Sequence, residues 1–161
     1  MKKLIFTAVL LLTISSLTFS QASTSANVTA NVNATLSITR LTDLNIGNVM
    51  QGATATILST AAAAASFQIT GAASTATTVT VTFPTELTSG VNTMPFTGQT
   101  PRYNTVAGAG TSTAFGSPTG GTTNSNASGN LWIYVGGGVT AASSQPVGSY
   151  TGTITVGVTQ P

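Results

Sequence analysis

The sequence predicts an all-β protein, an antiparallel β-sandwich, and three observations carry that expectation. Several runs alternate apolar and polar residues with a period of two, as strands with one buried face do. Clusters of Gly, Pro, Asn and Ser separate those runs. No stretch carries a convincing helical period, and the regular apolar faces distinguish the chain from a disordered Thr-, Ser- and Gly-rich stalk.

The first element is not part of that fold. "MKKLIFTAVLLLTISSLTFSQA" places Lys2 and Lys3 before an apolar stretch from Leu4 to Leu17 and ends on small residues at Ser20 and Ala22. It reads as a secretory signal cleaved after Ala22, which assigns residues 1–22 to targeting and residues 23–161 to a single domain. A membrane span fits less well, because Thr13, Ser15 and Ser16 interrupt an apolar run shorter than the ~20 residues a span needs. The expected location is therefore outside the inner membrane: periplasm, cell surface or extracellular space.

The next stretch, "ANVTANVNATLSIT" over residues 26–39, alternates without a break: Val28, Ala30, Val32, Ala34, Leu36 and Ile38 share one side, with Asn, Thr and Ser between them. At ~3.3 Å per residue such a strand runs roughly 46 Å, about twice the usual length. The same alternation fits the first strand of the chain's own sandwich and a strand offered to a neighbouring copy. Val32, Leu36 and Ile38 are expected in a ladder with the other long alternating run, "YTGTITVGV", in which Tyr150, Ile154, Val156 and Val158 line up opposite Thr151, Thr153 and Thr155. That ladder forms within one chain or between two.

Between these ends, "SFQIT" puts Phe67 and Ile69 on one side, and "TTVTVTF" sets Val79, Val81 and Phe83 against Thr78, Thr80 and Thr82. In "LWIYV" Leu131, Ile133 and Val135 share one face while Trp132 and Tyr134 occupy the other, so both faces are expected to touch protein. The five alanines at 61–65 are too few for a self-supporting helix and read as a lead-in to the Phe67 strand. Residues 98–130 are turn-rich; short strands around Tyr103 or Phe115 lie there, or the stretch is an exposed loop.

Composition excludes several function classes. Once Lys2 and Lys3 depart with the signal, Arg40, Arg102, Asp43 and Glu86 are the only charged residues, too few and too scattered for a nucleic-acid or polybasic membrane surface. The chain has no Cys and no His. With one Asp and one Glu it offers no paired carboxylates, metal-ligand cluster or nucleophile–base pair, so neither enzymatic activity nor a cofactor is expected.

Three motif-like features have plain structural explanations. Gly136 to Gly138 lack the helix and the Lys of a phosphate loop and read as a turn between strands. The sequons at Asn27, Asn33 and Asn126 are expected by chance in an Asn- and Thr-rich chain. Repeated T-x-T pairs would line a hydroxyl face, which strand alternation also produces.

Nearly the whole chain after the signal resembles a secreted bacterial family known as domain of unknown function 4402, through "ANVTANVNATLSITRLTDLNIGNV", "AASFQITG", "TTVTVTFP" and "LWIYVGGGVTAASSQPVGSYTGTITVGV". Two elements, L-x-x-L-x-[IF]-G-x-V at Leu41 to Val49 and G-x-Y-x-G-T-I-T-V at Gly148 to Val156, are also similar to spore-coat-U-like proteins and archaic chaperone-usher pilins. That resemblance implies an incomplete immunoglobulin-like, pilin-like sandwich closed by an N-terminal strand of the next subunit. The chain departs from it in having no cysteines and in Ile46, where Phe is usual.

The expected function is a secreted, non-enzymatic structural or surface protein, such as a pilus-type or matrix subunit that pairs strands with copies of itself or related subunits. The alternative is a monomeric binding module that presents the Thr-rich face or the 98–130 loop to a glycan or another surface. Adjacent exposed rings at Trp132 and Tyr134 would favour the second.

Overall fold

The computed structural model describes residues 23–30, 32 and 34–161, so the expected signal over residues 1–22 and the sequon at Asn33 lie outside the described residues. The chain divides between Val32 and Asn33 into two units. In the first, residues 23–30 and Val32 carry no strand or helix and are exposed.

The second unit is all-β, with twelve strands, numbered here in chain order, in three antiparallel sheets and no helix among the described residues. A five-stranded sheet runs β1 (Ser37–Thr42), β3 (Ala65–Thr70), β10 (Asn130–Val135), β7 (Arg102–Asn104), β8 (Thr113–Ala114). A three-stranded sheet runs β12 (Thr155–Thr159), β4 (Ala76–Thr82), β9 (Gly120–Asn124). The third runs β2 (Thr54–Ile57), β11 (Gly137–Thr140), β6 (Asn92–Gly98), β5 (Glu86–Ser89).

Period-two alternation builds the main core. Val79 and Val81 of β4, with Thr77, point inward while Ala76, Thr78, Thr80 and Thr82 face water. They meet Ile69 of β3 and Leu131, Ile133 and Val135 of β10, all buried, so the five- and three-stranded sheets form the two layers of a sandwich. In β12, Val156 and Val158 stand opposite Val81 and Val79, and cross-strand aliphatic pairs of this kind stabilise a sheet by ~0.2–1 kcal/mol each.

The glycine run is a corner more than a turn. The chain leaves the five-stranded sheet at Val135, passes Gly136 and joins the third sheet as β11. Gly136 lies where a Cβ would come within 2.4 Å of the Ile57 carbonyl, and a Cβ on Gly137 would enter the Phe96 ring. Its pairing partner Gly98 makes the same room for Phe83, and the two rings meet at 6.2 Å at the junction of the sheets.

Residues 98–130 hold β7, β8 and β9 and the buried Phe115, whose ring packs 4.8 Å from Tyr103. The alanine run forms a turn that enters β3 at Ala65. Asn126 is spent on turn geometry: its carbonyl accepts from Ser128 and Asn130 N–H, and its amide donates to the Thr105 carbonyl at 2.8 Å.

Two expectations about the ends are corrected. The strand expected over residues 26–39 begins only at Ser37; Val28, Ala30, Val32 and Ala34 lie in no strand and are exposed, and Ile38 sits in an edge strand with its side chain partly in water. Within the chain, β1 pairs with β3 and β12 with β4, so Leu36 and Ile38 make no ladder with Tyr150 to Val158. Alternation fixes which face is apolar but not the neighbour, and β3 and β4 supply nearer partners of matching period. Nor is the last run continuous strand: only Thr155–Thr159 pairs as β12, and Tyr150 and Ile154 precede it.

Candidate functional site

A groove of about 1000 Å³ opens over the third sheet. Its floor is a second apolar cluster, Met94 and Phe96 of β6 with Val139 and Ala141 after the glycine corner. Where the main core has a complete opposing sheet, this cluster is covered by two strandless segments, residues 43–49 and 148–154, and the groove runs between them. Leu44, Ile46 and Val49 lean in from one wall, and Tyr150 and Ile154 from the other.

Each wall continues a sheet edge. The first follows β1, whose only ladder among the described residues is with β3; Leu41 is bulged out of that ladder and half-exposed. The second leads into β12, whose only ladder among the described residues is with β4. Among the described residues β1 and β12 thus each keep one unpaired edge; β1 gives Arg40 and Thr42 to the trough's lining and β12 begins just past Ile154 at its border, an arrangement that accepts an added strand.

Local hydrogen bonds hold the second wall. The Tyr150 hydroxyl donates to the Pro146 carbonyl at 2.8 Å and accepts from Gln145 Nε2 at 2.6 Å, while the same amide donates to the Thr93 carbonyl. Gln51 Nε2 donates to the Gln145 carbonyl at 2.6 Å, tying the first wall's end to the second. Thr88 and Thr151 exchange backbone hydrogen bonds at 2.9 Å, which aligns the wall with β5.

The groove is nearly charge-free. Arg40 and Asp43 pair on its rim at 3.0 Å, both well exposed, an arrangement worth at most about 1 kcal/mol. Among the described residues no buried side-chain polar atom lacks a partner, and no cluster of three His, Cys, Asp or Glu occurs. The trough therefore offers a mixed lining of apolar side chains and uncharged polar groups, Asn45, Asn48, Gln51 and Ser149 among them. A shallower hollow of about 440 Å³ beside Arg102 is also a poor ligand site, because that guanidinium donates to the Ser112 hydroxyl and carbonyl.

The residues singled out in the sequence fall into three places. Tyr150 and Ile154 line or border the groove; Val156 and Val158 pack on the main core from β12. Leu36 also packs on the main core, beside Gly71. Val28 and Val32 are 94% and 95% exposed. The floor residues Met94, Phe96 and Val139 were not singled out, although "NTMPFTG" alternates around Met94 and Phe96; Pro95 argues against a central strand, and β6 tolerates it because the β11 ladder ends at Phe96. Tyr134 is buried, its hydroxyl accepting from the Gly108 N–H at 2.6 Å, and Trp132 is half-buried, so the two do not form an exposed ring pair.

The family model described as "Domain of unknown function (DUF4402)" matches residues 36–159, which includes both walls and the floor, and the chain belongs to that family. No curated protein and no solved structure matches. No helix among the described residues is long and apolar enough to cross a membrane.

Proposed function

We propose that the protein is a secreted, non-enzymatic structural subunit with an incomplete immunoglobulin-like sandwich, which assembles with copies of itself or related surface subunits by β-strand addition. The observation that carries this reading is the pairing of an open groove beside the unpaired edge of β1 with an alternating segment, of which residues 26–30, 32 and 34–36 lie in no strand. Backbone groups of an incoming strand would complete the edges, and its alternate side chains would pack among Leu44, Ile46, Leu87 and Tyr150, the partly buried apolar residues that line the groove above its buried floor. The sequence likeness of both walls to spore-coat-U-like proteins and archaic chaperone-usher pilins supports the same reading, as does the signal-like N-terminus. A glycan-binding role finds less support, since Trp132 and Tyr134 provide no exposed platform.

The test is the size distribution of the exported chain with and without residues 23–34, by light scattering. The intact chain is expected to form concentration-dependent oligomers and the deleted chain to stay monomeric and folded. Equal oligomerisation of both would refute strand addition by this segment.

A further inference from the structure

The groove has two different ends. Leu36 and Gln160 both lie against Gly71, where a Cβ would fall within 3 Å of either side chain, and the Gln160 amide bonds Ala72 N–H and the Thr77 hydroxyl. These contacts occupy the pole from which β1 starts and at which β12 ends. The opposite pole is made by the loops around Met50, Val91 and Val147, tied together by Gly52 N–H to Ala142 carbonyl, Gln51 to Gln145, and the Thr88–Thr151 bridge. Arg40 and Thr42 mark the groove's inner end, and residues 145–149 its end at this second pole.

Exposed apolar side chains concentrate accordingly. Val91, Val147 and Met50 are 97%, 93% and 82% exposed, all on that second pole. Four of the other large exposed apolar residues lie on the donor segment, Val28 and Val32, or on the free edge strand, Ile38 and Leu41. Only Leu58 and Val106 lie elsewhere among the described residues. Single exposed apolar residues need no explanation, but three on the pole at which the groove ends, with Val147 in its lining, coincide with a second requirement. The donor segment is joined directly to β1 of its own domain, so the donating body must sit at whichever mouth the segment leaves by.

Building on the strand-addition reading above, we propose that a second copy enters through the Met50, Val91 and Val147 pole and docks its body there. The incoming strand then runs parallel to β1 and antiparallel to residues 148–154, with Val28 toward the inner end and Ala34 at the mouth. The seven residues of that wall, roughly 23 Å at ~3.3 Å each, match residues 28–34. Because the donor segment and the groove are different surfaces, the contact is heterologous and passes from copy to copy head to tail.

Two measurements on the full chain test this, using a labelled peptide of residues 23–36 and a Met50→Lys, Val91→Lys double variant, neither residue lying in the groove's lining. The peptide is expected to bind the variant with a Kd within about twofold of the parent's, while self-association weakens at least about tenfold because the body contact costs affinity separately from the strand. Unchanged self-association overturns the docking surface, and loss of peptide binding in the variant overturns its separation from the groove. Failure of the peptide to bind the parent refutes strand addition itself. Direction is read by disulfide formation in this cysteine-free chain: Ala34→Cys is expected to cross-link to Val147→Cys of another copy, and cross-linking to Arg40→Cys instead overturns the orientation.

Discussion

Ile133 shows how little latitude the main core has. It is fully buried between β3 and β7, directly opposite Phe67 and Tyr103, and each of those two flanking strands is itself paired on both sides. Ile133→Ala is expected to cost about 2–5 kcal/mol, measured as a fall in the urea midpoint without a change in slope. Gly137 constrains by the opposite means. Its Cβ position lies 2.2 Å from the Phe96 ring, so Gly137→Val must push that ring toward the groove or strain β11. A loss of about 1–3 kcal/mol is expected in thermal unfolding, with a change in the near-ultraviolet signal of the aromatic junction. Neither residue announces its role in the sequence equally: Ile133 sits in an alternating run that is legible at once, whereas a glycine run looks the same in a turn, a cradle or a crowded strand crossing.

At the scale of elements, the strands most legible in the sequence are those buried by both layers. β4 keeps strict period two because each inward position faces a packed sheet; β3 alternates in sequence, and β10, apolar on both faces, buries consecutive residues. β2, β5 and β6 are short or carry Pro95, and their alternation is too brief to stand above a background of Thr and Ala. The run from Tyr150 to Val158 alternates throughout yet pairs only from Thr155, since the apolar face continues over the groove after the ladder has ended. Pairing partners and the groove itself arise from segments far apart in the chain, and periodicity carries no information about them. Deleting residues 23–34 tests the element directly: these residues are exposed where described, so the unfolding free energy is expected to change by less than about 0.5 kcal/mol while oligomers are lost.

For the whole molecule, the scarcity of charge sets how assembly responds to conditions. Arg40, Asp43, Glu86 and Arg102 are the only charged side chains after residue 22, and the donor segment has none. Association that depends on backbone pairing and apolar cover should be nearly independent of ionic strength between about 0.01 and about 1 M, over which the screening length falls roughly tenfold. A steep weakening with salt, followed by analytical ultracentrifugation, would point to an electrostatic interface that the walls do not provide. The central claim is narrower still: the groove between residues 40–49 and 148–154 is completed by residues 23–36 of another copy. Amide hydrogen exchange of residues 23–161 with and without a peptide of residues 23–36 tests it most directly. Protection confined to those two walls, with β9 unaffected, is the predicted result; unchanged exchange in both walls at saturating peptide would contradict it.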